Sequence, residues 1–219
     1  MNKSHRDRSG RARSYEKPGR IVIISSPSGG GKTSICRRLL TPLRKRRGWR
    51  FSISYTTRAR RPGERHGREY YFVDEQQFAH LAKDDFFAEQ FKVHLSRYGT
   101  PRQPLEQVLN KGGVMLLDVD VKGARRLKKV YPQAVTIFIL PPSIKALRQR
   151  LSRRGTETKA QLKVRFDNAR EEMKLFQRFE YAVVNDELSK AVRQVRTVIE
   201  AHSCRTENFN AEHLVKQLS

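Results

Sequence analysis

The stretch Ser26-Pro27-Ser28-Gly29-Gly30-Gly31-Lys32-Thr33 concentrates what phosphate binding requires. Three successive glycines let the backbone curl until several N–H groups converge on one anion, and the start of a helix adds its partial positive charge. Ser28, Gly29, Gly30 and Gly31 supply that cradle, Lys32 can reach the β- and γ-phosphate oxygens, and Thr33 offers a hydroxyl to Mg²⁺. The pattern Gly-x-x-x-x-Gly-Lys-Ser/Thr has Ser26 in place of its first glycine, so any positive φ there would carry strain. An ordinary glycine-rich turn is the competing reading. A Lys-Thr pair at a helix start, behind an apolar strand, argues against it.

A second acid supports the loop. The run Val114-Met115-Leu116-Leu117 ends in Asp118, a carboxylate at the tip of a buried strand, where phosphate-loop enzymes keep the acid that orients Mg²⁺. Alone, such an Asp is more often a helix cap; beside the loop, the metal reading prevails. The six histidines show no metal-ligand spacing. The two cysteines, Cys36 and Cys204, cannot build a disulfide framework, and Cys36 reads as a small buried residue rather than a nucleophile.

These groups must be held by a core, and 219 residues are enough for one α/β domain. The order of elements is that of a parallel sheet with flanking helices. Strands are expected at Arg20–Ser25, Phe51–Tyr55, Val114–Val119, Val135–Leu140 and Tyr181–Val184. Helices are expected at about Thr33–Leu40, from the N-cap Asp74 through Leu81, from Pro101 to Gly112, at Lys122–Lys129, from Ser143, at Thr158–Phe176 and at Leu188–His202.

Lys and Arg number 46 against 22 acids, a net charge of +24, which calls for polyanionic partners. Weak, nonspecific nucleic-acid binding through that surface is one reading of the excess; a general basic bias without function is the other. Residues 1–19 form a basic tail with almost nothing to bury and are expected to be disordered, and residues 205–219 form a polar C-terminal tail. The longest apolar runs are strand-sized, so no membrane span or signal peptide is expected, and a reducing cytoplasm fits.

The segment Ser54-Tyr55-Thr56-Thr57-Arg58-Ala59-Arg60-Arg61-Pro62-Gly63-Glu64 separates this chain from other phosphate-loop proteins. With His66-Gly67-Arg68-Glu69-Tyr70-Tyr71, Phe87-Ala88-Glu89, Tyr98-Gly99-Thr100, Leu117-Asp118-Val119-Asp120, Arg154-Gly155-Thr156-Glu157-Thr158 and Val184-Asn185-Asp186, it closely resembles guanylate kinase from Arg20 to about His202. The resemblance implies a phosphate-loop NTPase type of core over residues 20–204. It also implies an inserted mixed α/β GMP-binding segment at about 51–100 and a helical lid at about 152–165. The implied reaction passes the γ-phosphoryl of ATP, with Mg²⁺, to GMP and also dGMP; no oligomeric state is implied. Carried over residue by residue, the GMP-phosphate contacts fall on Arg58, Arg61, Tyr70 and Tyr98, the guanine contacts on Ser54, Glu89, Thr100 and Asp120, and the lid arginines on Arg154 and Arg165.

Guanine presents N1–H and N2–H₂ donors beside an O6 acceptor, so a carboxylate such as Glu89 suits the donors and a hydroxyl such as Ser54 suits O6. Arg97 stands where relatives commonly have Tyr, and it either adds a cation near the acceptor phosphate or points to solvent. A guanylate-kinase-like module that has lost catalysis and binds peptides is the rival from another class. Retention of Lys32, Thr33, Arg154 and Arg165 argues against it.

Overall fold

A computed structural model of the chain describes residues 19–93, 95–152 and 159–208. The basic tail before Gly19, the part of the expected lid that carries Arg154, and the end of the chain from residue 209 lie outside the described residues. Among the described residues no helix is long and apolar enough to cross a membrane.

Strands β1 (Arg20–Ser25), β2 (Trp49–Phe51), β7 (Val114–Asp118), β8 (Val135–Leu140) and β9 (Tyr181–Val184) form a parallel sheet in the order β2-β7-β1-β8-β9. Successive residues of a strand face opposite ways, and β1 is apolar from Ile21 to Ile24 because both of its faces are covered. Val22 and Ile24 join Ile35, Cys36 and Leu39 of helix α1 (Lys32–Leu39) and Val195 and Ile199 of α8 (Leu188–His202). Ile21 and Ile23 face the other way, onto Leu105 of α4 (Arg102–Asn110) and Ala124 and Leu127 of α5 (Val121–Val130). Each such aliphatic side chain, fully buried, contributes about 1.5–3 kcal/mol, which is what makes the sheet rigid enough to carry a site on its edge. Cys36 is fully buried, as expected of a small core residue.

The expected strand Phe51–Tyr55 is two strands. β2 ends at Phe51 in the parallel sheet; the chain then crosses over, with Ser52 N–H donating to Leu116 O at 2.9 Å, and re-enters as β3 (Tyr55–Thr56) of a second sheet. The alternation Phe-Ser-Ile-Ser-Tyr suits a single strand equally well, so the pattern could not show the change of sheet. The second sheet, in the order β4-β3-β6-β5, adds β4 (Tyr71–Phe72), β5 (Phe87–Val93) and β6 (Ser96–Pro101), none of which stood out in the sequence. Gly and Pro weaken β6 as a strand signal, and it is held by antiparallel pairing on both sides.

This sheet has an aromatic core of its own. Phe78 of α3 (Glu75–Lys83) stacks on Phe87 at 4.6 Å between ring centres, and Tyr55 and Phe86 meet Phe87 edge-on. Helix α3 starts where expected: Asp74 Oδ1 accepts from Gln77 N–H at 2.7 Å and Gln77 Oε1 from Asp74 N–H at 3.2 Å, a reciprocal cap. α2 (Pro42–Arg46), α6 (Ile144–Ser152) and α7 (Lys159–Lys174) complete the helices named in this account.

Gly99 on β6 is required by a close approach, because a Cβ there would lie 2.6 Å from the ring of Phe87. Gly99→Ala is expected to destabilise the protein by about 1–3 kcal/mol through displacement of that buried ring. Urea unfolding measures it; an unchanged midpoint would show that the ring yields freely.

Candidate active site

The loop after β1 lies at the carboxyl end of the parallel sheet, where open α/β sheets leave a crevice. Gly29 and Gly31 take left-handed φ angles of 85° and 95°, and Gly31 opens α1 as its N-cap. At Gly31 an added Cβ would also lie 2.4 Å from Asn185 Nδ2, so glycine is required there twice over. Ser26 does not take a positive φ, so its place in the motif carries no backbone strain. It is buried, and its hydroxyl donates to Pro27 O at 2.9 Å. Asn185, just after β9, donates from Nδ2 to Gly30 O at 3.0 Å and pins the loop to the far side of the sheet.

Beneath the loop, Thr33 Oγ1 donates to Asp118 Oδ2 at 2.5 Å, and Lys32 Nζ lies 3.4 Å from Asp118 Oδ1. The strand-tip acid is therefore joined to two residues of the loop motif. A hydroxyl and a carboxylate side by side are hard oxygen donors of the kind Mg²⁺ takes. Among the described residues no group of three or more His, Cys, Asp or Glu could hold a metal ion.

A cavity of about 720 Å³ extends from this loop to the second sheet. It is lined by Ser28, Gly29, Lys32, Thr33, Asp118 and Asp120 on the core side and by Ser54, Arg58, Arg61, Tyr70 and Tyr98 on the other. Arg58 is held in place: its Nη2 donates to both Glu64 carboxylate oxygens at 2.9 and 3.0 Å, and its guanidinium sits 5.5 Å from the centre of the Tyr70 ring. The Arg61 side chain has no hydrogen bond or ion pair among the described residues, while its backbone N–H donates to Glu64 Oε2 at 2.8 Å. Tyr70 and Tyr98 meet edge-on at 5.9 Å, and burial pushes the Tyr70 phenol well above its ordinary value, so it stays a proton donor. Asp120 lines the cavity and also caps α5, its Oδ1 accepting from Gly123 N–H at 2.7 Å.

Glu89 and Thr100 lie deeper, 7 % and 0 % exposed, behind the cavity wall. Thr100 Oγ1 donates to Glu89 Oε1 at 2.8 Å, and Glu89 Oε2 is buried with no partner. Burial first, and the negative charge of Asp120 second, push the Glu89 carboxyl up to about 7 against the pull of the Thr100 hydrogen bond. Arg97 points away from the cavity. Its guanidinium lies 4.5 Å from the centre of the Phe78 ring and donates to Gln90 Oε1 at 2.9 Å, because neighbours on β6 face opposite ways and Tyr98 takes the cavity side.

Helix α7 reaches the loop with two side chains. Arg165 Nη2 donates to Ser28 Oγ at 2.9 Å, and Glu172 Oε2 accepts from Ser28 N–H at 3.1 Å. Glu172 was not singled out in the sequence. The signal that could have found it is its spacing of seven from Arg165, two turns along one helix face. Burial raises its carboxyl above the usual range. Glu69 was missed as well: it accepts from Arg37 of α1 and from Arg68, both at 2.6 Å, and so ties the acceptor-side loop to the core.

The guanylate kinase family model matches residues 18–202. The guanylate kinase of Caldanaerobacter subterraneus subsp. tengcongensis is 39% identical over 194 residues, 89% of this chain and 93% of that protein. That of Symbiobacterium thermophilum is 42% identical over 190 residues, 86% and 88% of the two chains. The crystal structure of guanylate kinase from Anaplasma phagocytophilum superposes with a TM-score of 0.74 at 29% identity, covering 90% of this chain and 93% of that one. A phosphate loop braced by Asp118 and Asn185, facing a second sheet across one cavity, is thus accompanied by similarity along almost the whole domain, and the chain belongs to the guanylate kinase family.

Proposed function

We propose that this chain transfers the γ-phosphoryl group of ATP to GMP, giving ADP and GDP, with dGMP as a second acceptor, in the purine nucleotide metabolism of the cytoplasm. Residues 20–204 form the kinase domain, with the acceptor segment at about 51–100 and the lid at about 152–165. The observation that carries the reading is the unpartnered Glu89 Oε2, buried beside the Thr100 hydroxyl and close to Asp120 at the cavity wall. A buried acceptor without a donor is costly unless a ligand supplies one. Guanine supplies donors at N1 and N2, whereas adenine would set an N1 acceptor against the same carboxylate.

The acceptor phosphate has a second pKa of about 6 and is mostly dianionic at pH 7, so no general base is called for. The barrier is the approach of two polyanions in line. On the acceptor side Arg61 and Arg58 neutralise the phosphate while Tyr70 and Tyr98 donate from their hydroxyls. On the donor side the amides of Ser28–Gly31 and the Lys32 ammonium hold the ATP phosphates. Arg165, already at Ser28, and Arg154 answer the charge that develops on the migrating group. Thr33 and Asp118 would hold Mg²⁺, which neutralises phosphate charge when bound.

In a coupled assay with ATP, GMP is expected to be used far better than AMP, CMP or UMP, and Lys32→Ala to lower turnover by roughly 10²-fold or more with an unchanged circular dichroism spectrum. Turnover near wild type would remove the loop from the chemistry.

Glu89→Gln narrows the GMP-to-AMP ratio of kcat/KM, which for a site built on one hydrogen-bond pattern reaches roughly 10⁴. The pH dependence has a defined sign. The folded carboxyl titrates at about 7 against 4.5 when unfolded, so its proton stabilises the ligand-free fold at low pH, and that stability is lost as pH rises from 4.5 through 7. Guanine needs the ionised form, so KM for GMP rises as pH falls below 7. A flat profile down to the phosphate's own titration would contradict this.

Glu172 holds with its carboxylate an amide that this reading gives to an ATP phosphate. Glu172→Ala is expected to lower KM for ATP by roughly two- to fivefold, the size of a charge effect at a helix N-terminus. A raised KM would make Glu172 a support of the loop.

A further inference from the structure

At the opposite edge of the parallel sheet, where β1, β2 and β7 begin, a cavity of about 260 Å³ opens among α2, the start of β2 and the end of α8. It is separated from the phosphate loop by the length of β1, roughly 17–20 Å. Its charge is one-sided: Arg20, Arg44, Arg47 and Arg196 line it, and Glu200 is the one acid on its wall. Among the described residues Arg20 Nε and Nη1 are buried without a hydrogen-bond partner, as is Arg196 Nε, whose ion pair with Glu200 is long at 3.7 Å. Among the described residues no carboxylate reaches Arg20, Arg44 or Arg47; Arg44 Nη1 donates to Leu39 O at 2.9 Å, and its guanidinium lies 5.6 Å from the centre of the Trp49 ring.

We propose that this cavity is a second anion site, in which Arg20, Arg44, Arg47 and Arg196 bind a phosphate-bearing anion of the pyrophosphate or polyphosphate class. Desolvating a guanidinium without a counter-charge is expensive, and a native protein keeps such a group only where something answers it. The arginine fork matches phosphate oxygens in geometry and charge, and three buried N–H groups without acceptors converge on the same space. Burial also holds the Arg20 guanidinium below its usual value, with only the Cys204 thiol acting in the other direction. None of these arginines takes part in the proposed phosphoryl transfer, so the site accounts for basic residues that the reaction leaves idle.

Trp49 lines the cavity and is the only tryptophan in the chain, so its fluorescence reports on this site and not on the phosphate loop. In phosphate-free buffer, pyrophosphate should change that fluorescence saturably, at one site, and raise Tm, in the wild type and equally in Lys32→Ala. Arg20→Met and Arg47→Gln should weaken this binding by about tenfold or more, as loss of a charge-assisted hydrogen bond does, while GMP phosphorylation without pyrophosphate stays at wild-type level. Arg47 is exposed, so its variant keeps the test open should Arg20→Met fold poorly. A short single-stranded RNA that competes for the same Arg20-dependent signal would support the site with nucleic-acid phosphate as the source. No pyrophosphate signal, a signal lost in Lys32→Ala, or one indifferent to both arginine variants would overturn the proposal.

Discussion

The contact between the Thr33 hydroxyl and the Asp118 carboxylate joins residues 85 positions apart, and the rest of the site is arranged around it. It exists because β1 and β7 pair in parallel with Ile24 opposite Asp118, which sets the acid level with the turn into the phosphate loop. Parallel strands deliver all their carboxyl ends to one edge, and there the loop glycines, the strand-tip acid and Asn185 of the outer strand meet. Moving the register by one residue would turn Asp118 away from the loop and reverse every apolar side chain of β7.

Rigidity on the core side contrasts with lighter attachment on the other. The parallel sheet is packed on both faces by aliphatic clusters, whereas the second sheet has its own aromatic core and meets the core domain through Phe91, which packs on Gly123 of α5, and through polar contacts. Arg37 to Glu69 at 2.6 Å and Arg126 to Gln90 O at 2.9 Å are two of these. Exposed ion pairs contribute little, so the Arg37–Glu69 contact adds little to that attachment. An enzyme of this family must bring two phosphates into line, and a donor side packed on both faces gives that alignment a fixed frame.

Charge is handled by position rather than by amount. With a net charge of +24, an individual arginine says little, yet several acids around the cavity have fixed partners: Glu64 to Arg58, Glu69 to Arg37 and Arg68, Asp118 to Lys32 and Thr33. Glu89 differs from these: one oxygen is bound, the other is buried with no donor among the described residues, and burial raises its titration.

What the sequence determined by itself was local or periodic. The glycine loop with Lys32 and Thr33, four of the five core strands, the cap at Asp74 and the helix Leu188–His202 were legible, because each rests on residue type, alternation or a capping pair within a few positions. The family's pattern then marked Arg58, Arg61, Tyr70, Glu89 and Asp120 as a set. Tertiary structure decided what depends on distant neighbours: that Phe51–Tyr55 divides between two sheets, that β5 and β6 are strands at all, and that Arg97 turns away from the acceptor. It also brought Glu172 and Arg165 of one helix to Ser28, and Arg20 and Arg196 together at the far edge of the sheet. Backbone pairing and the convergence of long side chains are set by packing between segments far apart in the chain, and a one-dimensional pattern carries no record of which segments will meet.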